Sequence, residues 1–365
     1  MTDLPHIISN FRIAGTVSSI APYGSGHIND TYRVGTIEPD QFDYILQRIN
    51  HKIFKNVPAL MENIERVTKH IRVKLENTPG ADPNREGLTL IMANDGKSYY
   101  LDADGNYWRV YIFISDNRSY DIVDSPGKAY MGGKMFGKFQ AMIADLPGGP
   151  LNETIPNFHN IEWRLETFRT MLERDPVGRA GLVKAETEFV LERAFEMGTI
   201  LRLGREGKIP SRITHNDTKF NNVLLTSEDK GLCVIDLDTV MPGYVHYDFG
   251  DSIRTSTNTG AEDDPDLTKV EMDIRLFEGY TKGFLEETRK TLTPVELDHL
   301  ALAGKLLPYM IGLRFLTDYV DGDNYFKVKH AEHNLQRARA QFKLLSSMER
   351  QFGEMRAVVK RYSDQ

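Results

Sequence analysis

The feature that most constrains the fold is a change in hydrophobic period about one third of the way along the chain. Up to about residue 113 the apolar residues mostly follow strand patterns, at 16–23, 29–34, 44–49, 88–92, 98–101 and 107–113. One helical pattern interrupts them at 57–75, where the apolar residues of one face are Leu60, Ile64, Val67 and Ile71. The first third is therefore predicted to be a small, β-rich unit.

The rest of the chain is mostly helical in pattern. Helices are predicted at roughly 127–145, 160–174, 183–206, 267–289, 294–319 and 330–361, around a non-helical island from Ile213 to about Arg254. A chain of 365 residues, 40% apolar and 27% charged, is long enough for two cores. We predict an α+β protein with an N-terminal nucleotide-binding lobe at 1–113 and a C-terminal catalytic and substrate-binding lobe at 114–365, and a cleft between such lobes commonly binds a ligand.

The island contains the pattern that points to chemistry. It reads His215-x-Asp217-x-x-x-x-Asn222, and after a polar turn an apolar run ends in Asp236-x-Asp238. Phosphoryl transfer needs a carboxylate that orients the attacking hydroxyl, and an Asn plus an Asp that hold Mg²⁺ on the phosphates. The protein-kinase catalytic loop has the same spacing from His to Asp to Asn. The simpler interpretation, a loop whose Asp and Asn residues cap turns, accounts less well for the whole combination.

A hairpin explains how these residues could meet. If Leu225 pairs with Leu232, Asn222 lies opposite Ile235, about one rung of roughly 3.3 Å from Asp236. An amide oxygen and a carboxylate at one point suit a hard cation such as Mg²⁺. We therefore predict Asp217 as the catalytic residue and Asn222 and Asp236 as metal ligands, with His215 in a structural role.

A glycine-rich loop lies between the first two predicted strands. It contains Gly24, Ser25, Gly26 and, further on, Asn29. Glycines let backbone amides approach phosphates closely, although Gly-Ser-Gly is also a common hairpin turn. The island favours the phosphate-binding interpretation, so these residues are predicted to contact ATP.

The third strand lacks the lysine that kinases commonly use to bind the α- and β-phosphates. Gln47 and Arg48 are the candidates for its replacement, and the strand register decides between them. Glu62 and Glu65 on the next helix are candidate partners for that position.

With these residues in place, the chain resembles the aminoglycoside phosphotransferase and choline kinase superfamily, and within it most closely the N-acetylhexosamine 1-kinases. The resemblance covers most of the chain, and its blocks lie at 23–29, 44–47, 214–219, 236–243, 248–254 and 314–326. It implies a protein-kinase-like bilobal fold and transfer of phosphate from Mg-ATP to the anomeric hydroxyl of an N-acetylhexosamine. The same resemblance implies that Asp217 is the base, and that the sugar contacts are Asp217, Asp236, His27, Thr239, Arg314 and Tyr325.

Some of these sugar contacts have competing interpretations. Arg314 interrupts an apolar helix and needs an acceptor, which is either Asp318 four residues on or a ligand oxygen. Tyr325 follows a turn and either projects into the cleft or packs. His27 either contacts the sugar or is simply exposed. In the same region Asp248 is expected to anchor the loop rather than to react, and so is Asp251.

Two other functions fit the pattern. A kinase of another small alcohol, such as choline, homoserine, methylthioribose or an aminoglycoside, would use the same loop. A catalytically inactive nucleotide-binding protein would explain the missing lysine, but the Asp, Asn and Asp of the island are all present.

Composition limits the partners and the location. The net charge is −7, which argues against nucleic-acid binding, and the single cysteine, Cys233, lies in an apolar run and is predicted to be buried. The N-terminus lacks a signal-peptide pattern, and the apolar segment 300–316 is interrupted by Lys305, Pro308 and Arg314, as expected of a core helix. We expect a cytoplasmic monomer that binds ATP, Mg²⁺ and a small sugar, with no membrane partner.

Overall fold

A computed structural model describes residues 3–24 and 28–365 of the protein. The strands are β1 (Val17–Pro22), β2 (Asp30–Thr36), β3 (Tyr44–Ile49), β4 (Leu90–Ile91), β5 (Tyr100–Leu101), β6 (Tyr107–Ile112), β7 (Arg212–Thr214), β8 (Val223–Leu225), β9 (Gly231–Val234) and β10 (Met241–Gly243). The helices are α1 (Leu4–Ile8), α2 (Val57–Glu76), α3 (Pro126–Ile143), α4 (Ile161–Arg174), α5 (Lys184–Met197), α6 (Thr199–Arg205), α7 (Val245–Ser256), α8 (Ile274–Thr288), α9 (Pro294–Asp298), α10 (Leu300–Asp321), α11 (His333–Arg350) and α12 (Phe352–Ser363).

The chain forms two compact units. The first comprises Met1–Arg118, Met142–Pro156 and Val223–Pro242, and the second comprises Ser119–Ala141, Asn157–Asn222 and Gly243–Gln365. The first unit contains the larger sheet and the β8–β9 hairpin, and the second contains most of the helices. The predicted α+β class, with a small β-rich part and a larger helical part, is therefore confirmed.

The larger sheet of the first unit is antiparallel. Its strand order is β1-β2-β3-β6-β4, and β5 also pairs with β6. Alternation along β3 buries Tyr44 and Leu46, which pack in one core with Trp108 and Val110 of β6. Helix α1, which sequence patterns did not predict, adds Ile7 to this core.

Helix α2 forms as its sequence predicts. All four apolar residues of the predicted face are buried, namely Leu60, Ile64, Val67 and Ile71. The Asn56 side chain accepts a hydrogen bond from the Ala59 amide, and a proline near the N-terminus costs no helical hydrogen bond. The face is therefore fixed by apolar periodicity and the start by the cap.

Helix α10 is the central helix of the second unit's core. In the described part of the chain it alone is long and apolar enough to cross a membrane, and 89% of its most apolar stretch is buried inside the protein. Pro308 lies within it, and the helix ends at Gly322, whose φ of 98° is the left-handed conformation that a glycine tolerates. The predicted core helix is thus observed.

The main secondary-structure error of the sequence analysis is helix α7. The island was predicted to be non-helical as far as about Arg254, but the helix begins at Val245. Nearly every residue of α7 is buried, and its Asp, Ser, Thr and Gly residues are weak helix formers, so the local sequence alone does not favour a helix. Gly250 also packs against the carbonyl of Ala303 on α10, where a Cβ would clash.

Candidate active site

The loop after β7 is held by two buried carboxylates of α7. The backbone amides of His215 and Asn216 donate to Asp248, at 2.8 and 2.7 Å, and the Thr218 amide donates to Asp251 at 3.1 Å. Burial raises the pKa of Asp248, while the contacts with His215 and Asn216 oppose this shift. Both carboxylates therefore anchor the loop, which is the role that the sequence favours.

Asp217 and Asn222 are in contact at the two ends of this loop. The Asn222 amide nitrogen donates to the Asp217 carbonyl at 2.8 Å and to its carboxylate at 3.3 Å. The Asp217 side chain is 25% exposed, and the Lys219 ammonium lies 3.2 Å from it. Because the nitrogen of Asn222 faces Asp217, its carbonyl oxygen is the atom that suits a cation.

His215 has the structural position expected of it. It is fully buried, and its ring packs edge-on against Phe136 and Phe139 at centroid distances of 5.6 and 5.5 Å. Its Nδ1 accepts a hydrogen bond from the Asp217 amide at 3.3 Å. The histidine therefore shapes the backbone at Asp217.

The β8–β9 hairpin of the first unit leads to Asp236. The predicted register holds at Val223, which pairs with Val234, but Leu225 pairs with Gly231 instead of Leu232 because the register shifts after Leu224. The predicted pairing of Asn222 with Ile235 is not observed, because Asn222 is the last residue of a short 3-10 helix. Asp236 is exposed and has a left-handed backbone, φ 62° and ψ 66°.

Asp238 belongs to a buried polar network of the first unit. It forms an ion pair with Arg109 of β6 and accepts a hydrogen bond from Asn29 at 2.7 Å. Arg109 also donates to Gln47 at 3.0 Å. Burial lowers the pKa of Arg109, but the nearby charges, above all Asp238 and to a smaller extent Asp236, raise it above its ordinary value.

Sequence reasoning missed Arg109. The signal was present, since it is the one charged residue in the apolar strand 107–112, and a buried arginine requires a partner.

The two candidates for the missing lysine, Gln47 and Arg48, have different surroundings. Arg48 pairs with Asp30 on the exposed side of the sheet. Gln47 donates to Thr31 at 3.0 Å and accepts a hydrogen bond from Arg109.

The glutamates of α2 interact elsewhere. Glu65 contacts Lys69 at 2.5 Å, and Glu62 accepts a hydrogen bond from Asn152 at 3.2 Å. No ion pair joins either of them to Arg48 among the residues that the structure describes. Neither glutamate is therefore the partner of Arg48, because that arginine is already paired across to β2.

The remaining candidates for nucleotide and sugar binding differ in their exposure, and some of them lie outside the described residues. Gly24 has φ 77° and is exposed, whereas Ser25, Gly26 and His27 lie outside the described residues. Thr239 is buried in the short 3-10 helix that follows Asp236.

Arg314 does not pair with Asp318, so that alternative is wrong. The Asp318 carboxylate instead accepts from the amides of Tyr325 and Phe326, at 2.7 and 2.9 Å, and from Asn334 at 2.9 Å. The Arg314 guanidinium lies 5.9 Å from the ring centre of Tyr325, and Tyr325 is 62% exposed. These two predicted sugar contacts are thus brought together.

The residues and the fold together define a phosphotransferase of the kinase-like class. A family model described as the phosphotransferase enzyme family, APH, matches residues 19–281, which is most of the chain. The protein therefore belongs to the APH phosphotransferase family.

Solved structures of similar fold extend over nearly the whole chain. An aminoglycoside phosphotransferase from Alicyclobacillus acidocaldarius is 12% identical with a TM-score of 0.61, and the match covers 96% of each chain. A choline/ethanolamine kinase family protein from Mesorhizobium loti is 14% identical with a TM-score of 0.56, covering 94% of this chain and 93% of that one. Amicoumacin kinase hAmiN, solved with AMP-PNP, Ca²⁺ and Ami, is 13% identical with a TM-score of 0.56, covering 100% and 94%. At these identities the likeness establishes the fold.

Proposed function

We propose that this protein transfers a phosphoryl group from Mg-ATP to the anomeric C1 hydroxyl of an N-acetylhexosamine, GlcNAc or GalNAc, giving the sugar 1-phosphate and ADP. The observation that carries the proposal is the anchored loop in which Asn222 contacts an accessible Asp217. Family membership supports phosphate transfer to an alcohol, and the sequence resemblance supplies the acceptor.

Asp217 is the proposed base toward the sugar hydroxyl. Its carboxylate is partly exposed, and the backbone around it is fixed by contacts to α7 rather than by contacts of its own side chain. A base must reach the hydroxyl proton in a defined geometry, so a rigid backbone beneath an accessible carboxylate suits this role.

Asn222 and Asp236 are the proposed magnesium ligands. Both side chains have oxygen atoms that can bind a hard cation. Because the amide nitrogen of Asn222 donates to Asp217, the amide oxygen is the atom of Asn222 available to the metal. When bound, Mg²⁺ neutralises charge on the ATP phosphates. The protein's own part is to hold these two oxygens, one at the end of the loop and one on a strained backbone after β9.

The other roles follow the resemblance. We propose that Gly24, Ser25, Gly26, Asn29, Gln47 and Arg48 lie on the nucleotide side, and that His27, Thr239, Arg314 and Tyr325 contact the sugar together with Asp217 and Asp236. We also propose a monomer in the cytoplasm, where ATP and free sugars are available.

The test is an ATP-consumption screen over free sugars, with choline, homoserine and aminoglycosides in the same panel. We expect turnover with GlcNAc or GalNAc, and NMR of the product should show the phosphate on C1. Phosphate on C6, or turnover with only the non-sugar alcohols, would reject the proposal.

Asp217→Asn separates chemistry from binding. Removing the base should lower kcat by about 100-fold or more while ATP binding changes little. Asp104→Asn, in an exposed turn of the first unit, is the matched control and should retain full activity. Full activity of Asp217→Asn would end the role proposed for this carboxylate.

A further inference from the structure

Arg314 presents a charge that no nearby carboxylate neutralises. Its guanidinium is surrounded by aromatic rings, with ring centres 5.2 Å away at Phe158, 5.9 Å at Tyr325 and 5.5 Å at Phe326. Such rings stabilise a cation without cancelling its charge. No ion pair is found for Arg314 in the described part of the chain.

A second guanidinium, that of Arg164 near the start of α4, also contacts Phe158. It donates to the Phe158 carbonyl at 2.9 Å, and its buried Nε has no hydrogen-bond partner. Its neighbour ring is Trp163, with the guanidinium 4.9 Å from the ring centre. Within the described residues Arg164 likewise has no ion pair.

This arginine pair lies beside the catalytic loop. His159, which follows Phe158, contacts the Asn216 carbonyl at 3.3 Å, and Asn216 precedes the proposed base, Asp217. An acceptor held at Asp217 could therefore extend a substituent toward Arg164 and Arg314.

The local charge balance is positive. Burial lowers the pKa of Arg314, and Tyr325 and, to a smaller extent, Asp251 oppose this shift. The Asp251 carboxylate is already committed to Arg254 at 2.9 Å and to the Thr218 amide. Burial lowers the pKa of Arg164 to about 9, and the charge of Arg314 adds to this shift. Two partly buried like charges near one another are unfavourable unless an anion joins them.

We propose that Arg164 and Arg314 form a subsite for an anionic substituent of the acceptor, a carboxylate or a phosphate distant from the reacting hydroxyl. The inference rests on the proposed function, because it places the substituent on the sugar that Asp217 activates. Arginine is the residue best suited to two-point recognition of these oxyanions, and a neutral hydroxyl would leave the charge of the pair uncompensated.

The test compares matched ligands by titration calorimetry without ATP. The probes are N-acetylglucosamine and its derivatives with a carboxylate or a phosphate at C6. At least one anionic derivative should bind about tenfold or more tightly than the neutral parent, because charge-assisted hydrogen bonds replace neutral ones. The derivative that shows the preference identifies which oxyanion the subsite takes.

The variants assign the preference to the arginines. Arg164→Met should abolish most of the preference in affinity for the anionic derivatives over the neutral sugar. Arg164→Lys, which keeps the positive charge, should retain part of this preference. Arg169→Met is the control, since Arg169 is exposed on the same helix and lies 3.6 Å from Glu166. The inference is overturned if the wild type binds the neutral sugar as tightly as both anions, or if Arg164→Met keeps the full preference.

Turnover measured on the same ligands separates the two proposals. If the anionic preference depends on Arg164 but no sugar is phosphorylated at C1, the kinase proposal fails and the subsite stands. If N-acetylglucosamine is phosphorylated at C1 with no preference for anions, the subsite alone fails.

Discussion

Breaking the ion pair between Arg109 and Asp238 should destabilise the first unit more than any surface change. Both side chains are almost inaccessible, 2% and 4% exposed, so loss of one leaves the other as an unpaired buried charge. Such a loss typically costs about 3–5 kcal/mol, whereas replacing both partners with neutral groups costs much less. We therefore expect Arg109→Met and Asp238→Asn each to lower the free energy of unfolding by about 3 kcal/mol or more.

The double variant supplies the decisive comparison. Arg109→Met with Asp238→Asn removes both charges, so the combined loss should be smaller than the sum of the single losses by about 2 kcal/mol or more. Gln47 and Asn29 remain as neutral hydrogen-bonding neighbours, which limits the damage in the double variant.

The assay can follow the first unit alone. The chain has two tryptophans, and Trp108 of β6 is buried next to Arg109, while Trp163 lies in the second unit. In a Trp163→Phe background, tryptophan fluorescence during urea unfolding therefore reports the sheet that contains the pair.

The exposed pair of Arg48 and Asp30 on the same sheet is the control. Its side chains are 40% and 49% exposed, so Arg48→Met should cost no more than about 1 kcal/mol. A loss for Arg109→Met as small as this control, or a double variant equal to the sum of the single ones, would refute the argument from burial.

Two further predictions concern the second unit. Burial lowers the pKa of His246 to about 4 from an ordinary 6.5, and its Nε2 contacts the Glu296 carbonyl at 3.0 Å. Stability should therefore fall as the pH drops from 6.5 toward 4, since the unfolded chain takes up a proton that the folded chain excludes. His246→Gln should reduce the dependence of the free energy of unfolding on pH by about 1 kcal/mol per pH unit. If the wild type and this variant lose the same free energy of unfolding between pH 7 and pH 5, measured by urea unfolding, the prediction is contradicted. A Cβ at Gly133 of α3 would clash with the Tyr280 carbonyl of α8, so Gly133→Ala should lower the free energy of unfolding by about 1–3 kcal/mol. Gly127→Ala is the control and should not lower it, because the space around Gly127 is open. Equal melting temperatures for the two variants would show that α3 and α8 can separate freely.

Sequence reasoning succeeded where one local rule decides the outcome. The apolar face of α2 follows from period and burial alone, and the hairpin after Asn222 follows from two apolar runs around a polar turn. It failed for α7, because the Asp, Ser, Thr and Gly residues of this helix are weak helix formers and the helix is stabilised by its burial. It also failed for the bulge after Leu224, because apolar alternation does not show a local shift of register within a hairpin. It missed the ion pair formed by Arg109, because that pair joins segments far apart in sequence.

The aspartates of the island separate into two groups by accessibility. Asp238, Asp248 and Asp251 are at most 3% exposed, and each accepts hydrogen bonds from at least two neighbours. A buried carboxylate that is fully engaged is suited to holding backbone in place, and moving it during a reaction would cost those bonds. Asp217, Asp229 and Asp236 are the more accessible ones, and of these Asp229 lies in the turn between β8 and β9. Since a base and a metal ligand must both reach a substrate, this division of roles supports assigning the chemistry to Asp217 and Asp236 and the scaffolding to the three buried aspartates.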